Sequence, residues 1–283
     1  MRMNRLIEIR KHLYAKGAVA IIAAMPFGVS TNVYAQTPNL PDEARKVVVS
    51  LNASQWQELE NGLQVIRAIT EDGVVMTSFK ISQENFAFSI ETQKSDSGSR
   101  AKEIGEQEGA VALANAGFFA ITSSSALYSI GYLRLNGQVL SKGWPSAGGI
   151  VSFKPEGIEL TPTHQGIPTG TFDAIQSKPM LIEPGGVWAM GSNAGSAKPR
   201  TILCQLEGGD LILSTITRSG LTLYEAGWVM RDTSVGGFFG CDVALAFDGG
   251  RSTQIWYSGD EKYSSSGISP VHNFFVVRQK EDQ

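Results

Sequence analysis

The stretch that most constrains the fold is Asp242–Thr253, which reads DVALAFDGGRST. An apolar run of strand length stops at Asp248, and two glycines follow it at once. Residues 110–119, AVALANAGFF, have the same plan, with an apolar run that stops at Asn115 shortly before Gly117. Short apolar runs bounded by glycine are typical of buried strands that end in a turn. The sequence therefore predicts two buried strands that each end in a polar side chain.

Strand patterns continue on both sides of these segments, whereas helical patterns are few. Gly131–Leu140 places Asn136-Gly137 between two apolar runs, which indicates a β-hairpin. Helices are predicted at Ser99–Glu108 and at Thr222–Arg231, where Thr222 and Glu225 have the spacing of a capping box. The other predicted strands are Lys46–Leu51, Leu63–Ile69, Asn85–Thr92, Arg200–Leu206, Asp210–Ile216, Gln254–Tyr257 and Asn273–Arg278. Strands without regularly alternating helices favour an α+β fold, here a β-rich single domain with mixed sheets and a few short helices.

The first 35 residues have the pattern of a secretory signal peptide. Five basic residues precede a short apolar stretch, and Val33-Tyr34-Ala35 offers a cleavage site before Gln36. A membrane anchor is the alternative, but Pro26 interrupts the stretch, which is shorter than the about 20 residues of a spanning helix. We therefore expect an exported protein, periplasmic or secreted, with no membrane span after signal removal. The expected parts are a signal peptide (1–35), a β-rich lead-in (36–109) and the remainder of the same domain (110–283).

The charge of the exported part argues against a nucleic-acid partner. Without residues 1–35 the chain keeps 19 of its 24 basic and 26 of its 27 acidic residues, a formal net charge of −7. Proteins that bind nucleic acids instead cluster Lys and Arg against phosphates. The two cysteines, Cys204 and Cys241, either pair as a disulfide in an oxidising compartment or remain buried free thiols, and the sequence leaves both open.

No cofactor and no metal site is expected. The histidines outside the leader, His164 and His272, and the two cysteines lack the spacing of a structural zinc site. Asp248 and Asn115 could offer oxygen atoms to a divalent cation, but two groups so far apart in sequence do not support one. A Ser–His–Asp triad has no local pattern around Ser252.

Three polar strand ends form the candidate site: Asn115–Phe119, Lys198–Thr201 and Asp248–Thr253. Glycine in such segments lets a ligand approach the backbone and lets several N–H groups face one anion. Arg200 adds a planar, permanently charged guanidinium group that suits a phosphate. Each segment also has a simpler interpretation as a turn, and the capping role alone explains Glu225.

Six motifs follow one another along the chain: N-A-G-F-F at 115–119, the hairpin at 131–140, P-R-T at 199–201, the helix at 222–231, D-G-G-R-S-T at 248–253 and P-V-H-N at 270–273. Taken together in this order, they resemble the phosphodiester glycosidase family. The resemblance extends from Ala110 to Arg278. Ala116 and Arg251 occupy positions where the family pattern has glycine. Because of Arg251, the identity of the substrate stays undecided.

The resemblance implies that residues 110–283 form the catalytic part of a hydrolase. Its substrate would be a sugar-1-phosphodiester of N-acetylglucosamine type, or an envelope or exopolysaccharide glycan, cleaved at the sugar–phosphate bond. Arg200 would hold the phosphate, Asp248 would act as a base towards water or stabilise an oxocarbenium-like centre, and Asn115 would orient water or a sugar hydroxyl. Contacts with the substrate are expected from Gly117, Thr201, Gly249, Gly250, Arg251, Ser252 and Thr253.

Three other functions stay open beside this one. A non-catalytic protein of the cell envelope could bind a sugar phosphate or glycan with the same residues. A phosphodiesterase that breaks the phosphorus–oxygen bond would typically need metal-binding clusters, which the sequence lacks. A purely structural envelope protein would leave the long Gly- and Ala-rich loop at 185–199 without a role.

Overall fold

Nineteen strands and three short helices form the part of the chain that the structure, a computed structural model, describes: residues 40–170 and 172–280. The helices are α1 (Asp42–Asn52), α2 (Ala101–Gln107) and α3 (Leu223–Met230). The expected α+β, β-rich single domain with several sheets and a few short helices is confirmed. All strand pairs between described residues are antiparallel, so strand directions within a sheet alternate and are not mixed.

The largest sheet has eight strands. With strands numbered in chain order, it runs from edge to edge through β1 (Gln57–Glu60), β2 (Leu63–Ile69), β3 (Val75–Ile81), β16 (Leu211–Leu221), β15 (Lys198–Leu206), β17 (Cys241–Ala246), β13 (Met180–Glu183) and β14 (Val187–Trp188). Strands β1 to β3 of the lead-in enter this sheet through the pairing of β3 with β16.

Three smaller sheets complete the fold. The four-stranded sheet has the order β18 (Ile255–Tyr257), β5 (Ala112–Asn115), β19 (Asn273–Gln279) and β4 (Phe86–Thr92). The five-stranded sheet has the order β11 (Gly157–Pro162), β10 (Gly149–Lys154), β12 (Asp173–Ser177), β8 (Tyr132–Leu135) and β9 (Gln138–Lys142). A two-stranded ribbon pairs β6 (Phe119–Ile121) with β7 (Leu127–Ser129).

One apolar core joins the three larger sheets. Phe79 and Leu245 of the eight-stranded sheet, Ile175 of the five-stranded sheet and Phe275 of the four-stranded sheet belong to the same buried cluster. Burial of such aliphatic and aromatic surface is the main favourable contribution to folding. The core therefore fixes the relative positions of the strands whose ends carry the polar motifs.

The prediction of a strand at Lys46–Leu51 is wrong, because these residues lie inside helix α1. The three consecutive valines favour a strand by local preference. The buried positions of the helix are Ala44, Val47, Val48 and Leu51, which is the spacing of one helical face. That face packs against α3 and β2, so tertiary burial outweighs the local preference.

Local signals elsewhere are confirmed. Asn136 and Gly137 have φ angles of 51° and 75°, the left-handed conformations of a tight hairpin between β8 and β9. In the capping box of α3, the Thr222 side chain accepts from the backbone N–H of Glu225 at 3.1 Å, and a Glu225 carboxylate oxygen accepts from the backbone N–H of Thr222 at 2.8 Å. The helix therefore begins where the sequence predicts.

Cys204 and Cys241 form a disulfide, which settles the question that the sequence left open. It joins β15 to the first residue of β17, whereas Asp248 follows the other end of this strand. The predicted signal peptide at 1–35 lies outside the described residues. Among the described helices, none has the length and apolar character needed to cross a membrane.

Candidate active site

The three polar strand ends predicted from the sequence meet in space. Asn115 ends β5, Thr201 lies near the start of β15, and Asp248 follows β17. The backbone N–H of Phe247 donates to the Thr201 carbonyl at 2.8 Å, and that of Asp248 donates to the Ala116 carbonyl at 2.8 Å. The first bond extends the pairing of β17 with β15, and the second joins the end of the four-stranded sheet to the eight-stranded sheet.

The side chain of Asn115 is the centre of this junction and is only 1% exposed. Its Oδ1 accepts from the Thr201 hydroxyl at 2.6 Å and from the backbone N–H of Gln254 at 3.0 Å. Its Nδ2 donates to the backbone carbonyl of Asp248 at 2.6 Å. The amide of Asn115 thus faces three protein partners, and the Thr201 hydroxyl is committed to Asn115. This geometry supports a positioning role for both residues.

Asp248 presents a half-buried carboxyl group at the junction. Burial raises the pKa of this carboxyl above its ordinary value, although the Ser252 side chain and the backbone N–H of Gly249 act in the opposite direction. The Gly249 N–H donates to Oδ1 of Asp248 at 2.9 Å. A buried carboxyl with a raised pKa is a common feature of catalytic sites.

Arg200 lies next to Gly249, but its guanidinium group is bound elsewhere. Its Nε donates to the carbonyl of Leu221 at 2.8 Å, and its Nη2 donates to the carbonyl of Ser196 at 2.8 Å. Burial lowers the pKa of Arg200, and the charge of Glu225 acts against that decrease. Arginine stays charged in proteins, so Arg200 places a fixed positive charge between the 185–199 loop and helix α3.

Gly249 keeps the Asp248 and Arg200 segments in contact. A Cβ atom at this position would lie 2.8 Å from the carbonyl oxygen of Pro199, closer than such contacts normally permit. Only a residue without a side chain lets the turn after β17 pack on the backbone beside Arg200. The two motifs are therefore held together by the shape of the backbone as well as by hydrogen bonds.

The remaining predicted site residues are placed less uniformly. Ser252 and Thr253 are buried, whereas Arg251 is exposed and its Nε donates to the Ser269 hydroxyl at 3.3 Å. Gly250 begins a turn of 3₁₀-helix at Gly250–Ser252. Gly117 is buried, and a Cβ there would lie 2.9 Å from Ile175, so this glycine serves packing against β12.

Sequence reasoning missed Gln254, which is fully buried beside the junction. Besides its backbone contact with Asn115, its side-chain oxygen accepts from the backbone N–H of Ala101 at 2.7 Å, at the start of α2. The only sequence signal was its position directly after Thr253. Glu225, assigned to capping alone, also accepts from Asn193 at 3.2 Å in the 185–199 loop.

The sequence profile of the phosphodiester glycosidase family matches residues 108–278, well over half of the chain. The chain belongs to this family. The matched range contains all three members of the junction, Asn115, Thr201 and Asp248, together with Arg200. No curated protein sequence matches the chain.

Solved structures share the fold at low sequence identity. The catalytic domain of zebrafish N-acetylglucosamine-1-phosphodiester alpha-N-acetylglucosaminidase, auto-inhibited by its pro-peptide, has a TM-score of 0.58 at 11% identity, over 80% of this chain and 88% of that one. A hypothetical protein from Synechocystis has a TM-score of 0.57 at 13% identity, over 79% of this chain, which spans 63% of that protein. A Burkholderia pseudomallei protein described as exported has a TM-score of 0.55 at 11% identity, over 72% of this chain and 74% of that one. At these identities the likeness shows the fold alone.

This phosphodiester glycosidase family member has an open cleft beside the junction. The cleft has a volume of about 360 Å³ and is bordered by Pro199, Gly250 and Thr253. Within residues 40–170 and 172–280, no three His, Cys, Asp or Glu side chains are grouped so that they could hold a metal ion. A ligand in the cleft would lie against the same turn that carries Asp248.

Proposed function

We propose that the protein hydrolyses a sugar-1-phosphodiester by breaking the bond between the anomeric carbon and the phosphate oxygen. The observation that carries the proposal is the meeting of three strand ends around the half-buried carboxyl of Asp248, in a chain that belongs to the phosphodiester glycosidase family. An N-acetylglucosamine-type substrate, or an envelope or exopolysaccharide glycan, fits this chemistry.

The leaving group determines what the site has to supply. A phosphate monoester has a second pKa of about 6, so it departs as an anion with little need for a proton donor. Its developing charge requires fixed positive charge and N–H donors. Arg200 has one guanidinium nitrogen, Nη1, without a hydrogen-bond partner among the described residues, and this nitrogen is the one that we assign to the phosphate.

Asp248 is assigned as the base towards the attacking water, or as the carboxylate that stabilises an oxocarbenium-like centre. A base is most effective when its pKa lies close to the working pH, and burial moves the pKa of Asp248 in that direction. Because the Gly249 N–H binds Oδ1 of Asp248, it orients the base, and the N–H of Gly250 is assigned to the substrate.

Asn115 and Thr201 are assigned as positioning residues. The Asn115 amide binds the backbone carbonyl of Asp248, and the Thr201 hydroxyl binds the Asn115 amide. Both residues therefore position the Asp248 carboxyl indirectly, by fixing its backbone. Ser252 acts on the Asp248 carboxyl, and Thr253, which borders the cleft, is assigned to the part of the substrate that enters it. Arg251, whose Nε donates to the Ser269 hydroxyl, is assigned to a more exposed part of the substrate.

The test measures which bond breaks. Residues 36–283 are incubated with UDP-N-acetylglucosamine and with a simple sugar-1-phosphodiester in ¹⁸O-labelled water, with and without EDTA, and the products are read by NMR. We expect the label in the released sugar. Label in the phosphate would instead indicate a phosphodiesterase, and binding without turnover would indicate a glycan-binding protein.

Asp248→Asn tests the assigned base. We expect a loss of turnover of about 10²- to 10⁴-fold, the usual contribution of a general base, with ligand binding largely kept. Asp242→Asn is the matched control, because Asp242 lies near the start of β17, the strand that leads to Asp248, and far from the site. Full activity of Asp248→Asn would remove Asp248 from the mechanism.

We further propose that the protein works outside the cytoplasm. The predicted leader and the disulfide between Cys204 and Cys241 both support this location, because disulfides persist in oxidising compartments. Recovery of the mature chain, cleaved after residue 35, from the periplasm or the medium of an expressing bacterium is the expected result.

A further inference from the structure

A row of polar side chains crosses the eight-stranded sheet and ends at the candidate active site. Thr201 on β15 pairs with Thr215 on β16, Thr215 pairs with Thr77 on β3, and Thr77 pairs with Arg67 on β2. Residues directly opposite each other in antiparallel strands project from the same face of the sheet. Since the Thr201 hydroxyl reaches Asn115, the row connects Arg67 to the junction across one continuous face.

The cleft beside the junction covers the end of this row formed by Thr77 and Arg67, and it is positively charged. Three basic side chains, Arg67, Arg218 and Lys262, line it, and the described lining residues include no carboxylate. Lys262 is partly neutralised by Asp260 at 2.7 Å. Arg67 and Arg218 form no salt bridge with any residue in the described ranges. Two uncompensated guanidinium groups therefore face the same space.

Among the described residues, three of the nine buried side-chain atoms without a hydrogen-bond partner lie along the row or at the cleft. Nε of Arg67, the hydroxyl of Thr215 and the hydroxyl of Thr253 are all buried without a hydrogen-bond partner among the described residues. Thr253 is only 3% exposed and lines the cleft. Buried donors without partners are rare in folded proteins because they are unfavourable. Arg67 and Thr253 also line the cleft, so a polar ligand bound there would supply partners for these two side chains.

The backbone at Arg218 is strained in a way that supports the same interpretation. Arg218 has a φ angle of 64°, a left-handed conformation that is uncommon for a residue with a long side chain. It lies next to the irregular register between β15 and β16, and such bulges re-aim side chains near functional sites. Strained residues of this kind are concentrated at ligand sites.

We propose that this cleft is a second anion subsite that holds a further phosphoryl group of the leaving group, next to the phosphate that is released from the sugar. The proposal rests on the proposed function and specifies its substrate class: a sugar phosphodiester with at least two phosphoryl groups. A guanidinium group can bind a phosphoryl group through two parallel N–H···O hydrogen bonds, and the Thr253 hydroxyl adds a neutral donor. The second group belongs either to a pyrophosphate, as in a nucleotide sugar, or to the next unit of a glycosyl-phosphate polymer.

Binding without turnover is measured first, by calorimetry with inorganic phosphate and with pyrophosphate as probes. We expect pyrophosphate to bind more tightly than phosphate, and Arg67→Gln to weaken pyrophosphate binding by about 10- to 100-fold. Arg218→Asn should weaken it similarly, and it should fold at least as well as the wild type because asparagine tolerates a left-handed conformation. Lys142→Gln removes the same charge from exposed strand β9 and is the control.

Turnover is then compared for three substrates: the methyl ester of N-acetylglucosamine 1-phosphate, UDP-N-acetylglucosamine and a glycan oligomer with two phosphodiesters. The subsite predicts that Arg67→Gln and Arg218→Asn lower kcat/KM for a substrate with two phosphoryl groups by about 10-fold or more, and for the methyl ester by less than about twofold. A loss confined to the nucleotide sugar assigns the subsite to pyrophosphate, and one confined to the oligomer assigns it to a polymer.

The two proposals fail in different ways. Equal losses for all three substrates, or pyrophosphate binding that Arg67→Gln and Arg218→Asn change no more than Lys142→Gln does, would overturn the subsite and leave the hydrolase standing. Binding of pyrophosphate that depends on Arg67 in a protein with no turnover would support the subsite and overturn the proposed hydrolysis.

Discussion

At one end of β17, Cys241 is bonded covalently to β15, whereas at the other end Asp248 is fixed by the hydrogen bonds of its backbone and by the packing of Gly249. The first end is almost fully buried, and the second presents a half-buried carboxyl group with a raised pKa. The same two strands therefore carry a covalent link at one end and a polar site at the other. The comparison suggests that the disulfide end secures strand register so that the site end can carry unfavourable polar groups.

The largest expected effect on stability comes from the covalent end. The double variant Cys204→Ser/Cys241→Ser removes a link between residues 37 apart in sequence, and we expect the free energy of unfolding to fall by about 2–4 kcal/mol. The wild type treated with reductant is the control, because it lacks the disulfide without containing the two serine side chains. Guanidinium unfolding measures the loss, while kcat/KM near the wild-type value would confirm that this end acts on stability. A large loss of kcat/KM in a fully folded variant would show that the two ends are coupled.

A smaller effect is expected from added volume at the polar end. Gly249→Ala places a methyl group against the Pro199 carbonyl, and we expect destabilisation of about 1–3 kcal/mol together with reduced turnover. Gly208→Ala is the matched control, because a Cβ there meets no neighbouring atom in the hairpin between the same β15 and β16. If both variants unfold at the same denaturant concentration, the close contact at Gly249 is not needed for the site.

The smallest effect concerns how stability depends on pH. Burial raises the pKa of Asp248 above its ordinary value of 3.8, so the folded state binds this proton more tightly than the unfolded state does. The wild type should therefore lose stability as the pH rises from 3.8 through the raised pKa.

Asp248→Asn has no such group, and it should be more stable than the wild type at about pH 7 and nearly equal to it at about pH 3. Urea unfolding of both proteins at the two pH values measures the difference. A stability gain that grows on acidification would contradict the direction assigned to this pKa.

Much of the site was predictable because its residues follow strands whose ends are marked in the sequence. Asp248-Gly249-Gly250 and Asn115 each stop an apolar run, and the resemblance to the family placed Arg200 beside them. The structure adds what these patterns do not contain. The amide of Asn115 and the hydroxyl of Thr201 are bound to the protein, and Gly117 serves packing, because contacts between strands decide which polar group stays available.

The basic cleft and two parts of the fold were not predictable in the same way. Arg67, Arg218 and Lys262 are far apart in sequence. The pairing of β2, β3 and β16 brings Arg67 and Arg218 to the same cleft, and the segment after β18 adds Lys262. Strand β3 was missed, although its residues include valine, threonine and isoleucine. Helix α1 was taken for a strand, because its valines are recognisable as a helical face only from the partners that bury them.

The position of β19 has a consequence for the order of assembly. This strand pairs with β4 on one side and with β5 on the other, and it follows both of them by a long stretch of sequence. When the chain is synthesised or exported N-terminus first, β4 and β5 emerge before β19, which is the last of the described strands and their common partner. Contacts between such distant segments slow folding, since a large loop must close before they form. The sheet that presents Asn115 is therefore completed late, and chains that stop before residue 273 would have a gap at its centre.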